Sequence, residues 1–158
     1  MSKIAILTRG VSGGGVQKMS VNLANQLVSE GWKVDLLSPV KGNDSEVDPR
    51  VNIILMPSSS NIVARWYCLK AAPDLLKELF LPVIIPIFFP KSLSYVKYIA
   101  NYMNRHKPVA FISATTYFNI AALLAKRIAR KDIKILISER TNLSGTIDSI
   151  KNNFFLRW

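Results

Sequence analysis

Short apolar runs alternate along this chain with stretches of helical period. Lys3 to Thr8 (KIAILT) is apolar and stopped by Arg9-Gly10, the pattern of a strand buried on both faces. From Val16 the spacing changes. Val16, Met19, Leu23, Ala24, Leu27 and Val28 fall on one face of an amphipathic helix that Gly31 is placed to end. Lys33 to Ser38 returns to strand character and stops at Pro39. Strand, glycine loop, helix and strand make a βαβ unit.

The polar stretch 41–50 reads as a surface connection, and Val51 to Met56 as a third strand closed by Pro57. Residues 63–80 carry helical character interrupted by Pro73, and Leu93, Val96, Ile99, Ala100 and Met103 mark a more regular helix that ends at Arg105-His106-Lys107 before Pro108. Val109 to Ser113 predicts a fourth strand. Ile120, Leu123, Leu124 and Ile128 mark the helix after it, and Ile133 to Ser138 a fifth strand. This alternation predicts an α/β fold with a Rossmann-like, doubly wound, mostly parallel sheet.

With 158 residues the chain fits one domain over 1–158, large enough for a core without disulfides or a structural metal. Hydrophobic residues at 49% against 20% charged ones fit a folded chain rather than a disordered one. One cysteine, Cys68, and one histidine, His106, leave no internal bridge and no zinc cluster, so no metal site is expected. The first residues run straight into a strand with no signal segment, and a cytoplasmic location is expected. The apolar run Leu79 to Pro90 is broken by prolines and falls short of the roughly 20 residues of a spanning helix. Apolar Phe154-Phe155-Leu156 near the end, with nothing after Trp158 to pack on, reads as a domain cut at its C-terminus.

In open α/β sheets ligands bind beyond the carboxyl ends of the strands, which directs attention to Arg9 to Gln17, Ser38, Pro57, Ser113 to Asn119 and Ser138 to Asn142. Three successive glycines, Gly13, Gly14 and Gly15, let a phosphate or sugar approach the backbone, and the helix behind them offers unpaired amides. The same loop also serves as a tight strand-to-helix turn. A dinucleotide fingerprint would need glycine where Lys18 stands and an acid at the tip of the second strand, where Ser38-Pro39 stands; Asp35 is mid-strand. A Walker loop is absent, so NAD and ATP are disfavoured.

The segment Arg9 to Gln17 with the helix that follows, the segment Ile112 to Ala125, and the segment Ile137 to Ser144 fall at the ends of the first, fourth and fifth strands. Together they resemble family 4 glycosyltransferases of the GT-B fold, over nearly the whole chain. The resemblance implies one half of a two-domain enzyme, the acceptor-side half, facing a C-terminal donor domain that lies outside this chain. It implies transfer of a sugar from a UDP- or GDP-linked nucleotide-sugar to a glycan or lipid-linked acceptor, metal-independent and with retention. Gly13, Gly14, Gly15 and Gln17 would face the donor diphosphate; Arg9, Thr115, Thr116, Asn119, Glu139 and Arg140 would line the acceptor cleft. Where many relatives carry histidine at the fourth-strand end, this chain has Ser113-Ala114-Thr115, so no catalytic residue is carried over. Asn119 also fits a helix cap, and Glu139 and Arg140 a surface pair. A non-catalytic module that recruits a separate donor-binding subunit is the alternative.

The net charge of +11 calls for an anionic partner. No recognition helix, zinc finger or RNP-like aromatic motif points to nucleic acid. Between 62 and 107, seven Lys or Arg stand against Asp74 and Glu78 around the apolar run. Lys77, Phe80, Ile84, Ile85, Phe88, Phe89 and Lys91 are therefore expected to contact an anionic membrane surface, with core packing as the competing role.

Overall fold

A computed structural model describes residues 2–73, 90–129 and 132–139. Five parallel strands, β1 (Lys3–Leu7), β2 (Lys33–Ser38), β3 (Asn52–Leu55), β4 (Ala110–Ala114) and β5 (Lys134–Ser138), form one sheet in the order β3-β2-β1-β4-β5. The expected mostly parallel, doubly wound sheet is present. The chain builds outward from β1 to β3, then crosses back to lay β4 against the other side of β1. That reversal makes the carboxyl ends of β1 and β4 the topological switch point, the place at which such sheets bind ligands.

Alternate residues of each strand feed two cores. On one face, Ile4, Ile6, Val34 and Leu36 pack with Val21, Ala24 and Val28 of α1 (Gly15–Ser29). On the other, Ala5, Leu7, Leu37 and Phe111 pack under α2 (Asn61–Ala71), α3 (Val96–His106) and α4 (Thr116–Ile128), with a 3-10 turn at Lys91–Tyr95. Leu93, Val96, Ile99, Ala100 and Met103 are all buried, as their spacing predicts.

Glycine ends α1 as expected. Gly31 adopts φ +88°, its N–H donates to Val28 O, and Trp32 N–H donates to Leu27 O, so the last carbonyls are satisfied by a Schellman turn. No helix joins β2 to β3. The polar connection is instead stitched to α1 by Asn25, whose amide donates to Glu46 O at 2.9 Å and accepts from Asp48 N–H at 2.8 Å.

One expected helix face is corrected in part. In α4 the buried residues are Phe118, Asn119, Ala121, Ala122, Leu124 and Ala125, so Leu124 faces inward as expected, while Ile120 and Leu123 are exposed and Ile128 is half-buried. The expected α1 face is present: Ala24 and Val28 are buried beside Ser20 and Val21, Val16 and Met19 are half-buried, and half-buried Leu23 and Leu27 pack against the same core.

At the amino ends of the strands lies a buried charge. Asp35 accepts from Lys3 Nζ at 2.8 Å, Asn52 Nδ2 at 2.9 Å and Tyr102 Oη at 2.5 Å, binding β1, β3 and α3 to β2. Burial pushes its carboxyl pKa up, but the three hydrogen bonds and the Lys3 charge outweigh that and hold it below the ordinary value. The same burial and the Asp35 contact push the Tyr102 phenol far up, so it donates at all physiological pH.

Candidate functional site at the sheet switch point

Parallel pairing sets Leu7 beside Ser113, so Thr8-Arg9 and Ala114-Thr115 leave the sheet side by side. The β1 exit is shaped first by Thr8, buried, whose N–H donates to Leu37 O and whose hydroxyl donates to Gly10 O at 2.9 Å. Arg9 is turned out to solvent, and Ser12 to Gly15 are exposed.

Of the three glycines only Gly13 has a backbone that demands one, at φ +121°. A Cβ at Gly14 would make ordinary contact, 3.5 Å from Gln17 Oε1, and one at Gly15 would meet nothing within 4 Å. Packing therefore does not explain Gly15, the first residue of a helix that glycine weakens. Gln17 folds back along the loop, its amide nitrogen 3.7 Å from where a Gly13 Cβ would stand. Lys18 makes the first intrahelical bond, to Gly14 O at 3.1 Å, which leaves the amides of Gly15, Val16 and Gln17 without an intrahelical acceptor. Neither a capping side chain nor an acidic residue occupies the first turn of α1. The helix end thus offers donors and a positive dipole end to an anion.

Behind this loop stands a residue that the sequence reading did not select. A Cβ on Gly42 would lie 2.8 Å from both Ser12 Oγ and Val11 Cγ2, so the β2–β3 connection presses directly on the glycine loop. Ser38, also buried, closes the start of that connection by donating to Val40 O at 2.6 Å.

Across the switch point, the β4 exit is strained. Thr115 has φ 92° and ψ 136°, a conformation that a β-branched residue rarely adopts. Lys107, at φ 47° and ψ 55°, sits in the ordinary left-handed well at the end of α3 and carries no comparable strain. Asn119 is not the cap of α4; Thr115 holds that position, without a side-chain cap bond. The Asn119 amide reaches instead to the β5 tip, donating to Ser138 O at 3.1 Å and to Glu139 Oε2 at 3.5 Å. Thr115 N–H also points at Ser138 O, at 3.4 Å, so one carbonyl ties the exits of β4 and β5. Two atoms in this corner, Ser113 Oγ and Asn119 Oδ1, are buried with no hydrogen-bond partner among the described residues. A buried polar atom left without any partner costs about 1–3 kcal/mol.

The structure thus brings Gly13, Gly14, Gly15 and Gln17 together on one side of the switch point, and Thr115, Thr116, Asn119 and Glu139 together on the other. Thr115 and Thr116 are half-buried and Glu139 is exposed. Arg140 lies outside the described residues, as do Lys77, Phe80, Ile84, Ile85, Phe88 and Phe89; Lys91 is described and exposed. Among the described residues no His, Cys, Asp and Glu cluster of metal-binding type occurs, and no helix is long and apolar enough to cross a membrane.

A cavity of about 470 Å³ opens at the opposite end of the sheet between Lys3, Trp32, Lys33, Arg50 and Asn52. Its size does not make it the better site. Two of its cations are engaged, Lys3 by Asp35 and Arg50 by Asp48, both at 2.8 Å. The switch point has the uncapped amides, the unexplained glycine and the strained turn.

No family model matches this chain, and no curated protein matches it. The fold alone defines its class: an open, Rossmann-like α/β domain with parallel strands.

Proposed function

We propose that this chain is the acceptor-side half of a GT-B glycosyltransferase of family 4 type, which passes a sugar from a nucleotide-sugar to a glycan or lipid-linked acceptor at the inner surface of a membrane. The observation that carries this reading is Gly15, a helix-opening glycine that packing does not require, beside amides free to face a diphosphate. In this reading the α1 amides and the Gln17 side chain stabilise charge on the departing diphosphate. Thr115, Thr116, Asn119 and Glu139 orient acceptor hydroxyls, and Arg9, with Arg140 by its place in the sequence, supplies cationic contacts. The nucleotide itself is held by a second, donor-binding domain.

Two measurements test it. The full reading frame is screened against a panel of UDP- and GDP-sugars; release of nucleotide diphosphate that depends on an acceptor is expected. Gly15→Ala is then compared with the parent. A methyl group here meets open space, so folding is expected to hold while turnover falls at least about tenfold, the cost of 1.4 kcal/mol at a phosphate contact. Unchanged turnover in that variant overturns the role of the loop.

A further inference from the structure

The outer face of α2 is apolar where a helix on a monomeric surface is ordinarily polar. Ile62 is 82% exposed and Trp66, one turn on, 58% exposed. Lys70 continues the stripe with its ammonium 5.2 Å from the Trp66 ring centre, and Tyr67 packs edge-on against Trp66 at 5.5 Å. Lys97 of α3 sits 5.9 Å from the Tyr67 ring centre, so the cations and aromatics form one continuous surface. At its edge a cavity of about 260 Å³ collects Ser58, Ser59, Ser60, Asn101 and Lys97. Ser59 N–H donates to Ser94 O at 3.0 Å, which anchors this serine loop to the 3-10 turn that begins with exposed Lys91.

Among the described residues of segments 57–73 and 90–107 there are six Lys or Arg and no Asp or Glu; Asp74 and Glu78 lie outside the described residues. Exposed Ile and Trp framed by cations match the boundary between headgroups and acyl chains, with the rings and aliphatic side chain in the apolar layer and the ammonium groups at phosphate level. An RNA surface would use the cations but gives no place to Ile62.

We infer that the α2 face built on Ile62, Trp66, Lys70 and Lys97 docks the protein on an anionic bilayer, with the serine-lined cavity beside it receiving a headgroup phosphate. This rests on the peripheral-membrane part of the proposed function and extends it to a helix outside the 77–91 segment, apart from their shared neighbour Lys91. It is independent of whether sugar transfer occurs.

The test is co-flotation of the 158-residue chain with vesicles of roughly two parts phosphatidylcholine to one part phosphatidylglycerol, against phosphatidylcholine alone. The parent chain is expected to float only with the anionic vesicles. Ile62→Ser with Trp66→Ser, both more than half exposed and so expected to leave the fold intact, is expected to weaken partition about tenfold or more. Lys70→Gln with Lys97→Gln is expected to weaken it roughly 25-fold, about fivefold per cation. Lys18→Gln with Lys33→Gln removes the same charge away from the α2 face and is expected to change partition less than about twofold. If the parent does not float, both the peripheral reading and the α2 assignment fall. If it floats and the serine variant floats equally, or if the Lys18 and Lys33 pair matters as much as Lys70 and Lys97, the α2 assignment alone falls. Retention on a poly(U) column lost in the Lys70 and Lys97 variant, without vesicle binding, replaces the membrane with nucleic acid.

Discussion

The two ends of this sheet are built on opposite principles. At the amino ends, one carboxylate is buried and fully answered: Asp35 takes hydrogen bonds from Lys3, Asn52 and Tyr102 and joins three strands to a helix. At the carboxyl ends, the helix opening at Gly15 is uncapped, Thr115 is strained, and Ser113 and Asn119 each have a buried atom with no partner among the described residues. One end holds the fold together, and the other gives up stability in the region where function is expected.

The contrast can be broken first at the stabilising end. Lys3→Met leaves Asp35 with two neutral donors and is expected to cost about 3 kcal/mol, the lower end for a broken buried pair because Lys3 is partly exposed. Thermal unfolding would register this as a fall of roughly 6–12 °C. Tyr102→Phe, which keeps the ring beside His106 and Phe111, is expected to cost about 1.5–3 kcal/mol as the loss of a bond to a charged acceptor.

Acid sharpens the same point. Because the folded Asp35 carboxyl titrates below its unfolded value near 3.8, its contribution is complete above that value and is lost as pH falls through the lower, folded one. Denaturant titrations of the parent between pH 5 and pH 2 are expected to show this loss, and those of Asp35→Asn, already weaker at pH 7, to show a shallower decline (pH range on the order of the unfolded and paired values).

At the other end the sign reverses. Thr115→Gly removes strain and is expected to stabilise by about 1 kcal/mol and, under the proposed function, to lower turnover of the full reading frame. Gly15→Ala is expected to raise helix stability by up to about 1 kcal/mol with the loss of activity described above. Smallest of all is Cys68. Burial pushes its thiol up to about 11, so alkylation at neutral pH is expected only after unfolding, and its rate reports global opening without perturbing either end.

The strands and the βαβ opening were legible because a two-residue alternation and a short apolar run leave few other solutions; β2 matches its expected limits, Lys33 to Ser38. The faces of α4 were not. Ile120 and Leu123 are larger than the alanines beside them, yet Ala121, Ala122 and Ala125 lie in the core with Phe118 and Leu124, because how the helix lies on the sheet and α3, not side-chain size, decides which stripe is buried. The glycine loop could be found from composition and position alone. Thr115 and Asn119 were singled out only through the resemblance, and their geometry was not legible: the φ of Thr115 is imposed by the exit of β4, and the reach of Asn119 to Ser138 spans 19 positions that only the folded sheet brings together.

Gly42 carries a consequence for how this protein tolerates change. Surface connections between strands ordinarily accept substitutions and length differences with little effect. Here the connection leans on Val11 and Ser12 at 2.8 Å from any added side chain. Variation in an apparently idle loop would thus shift the glycine loop from behind, making residues 40–43 an adjustment point for its shape.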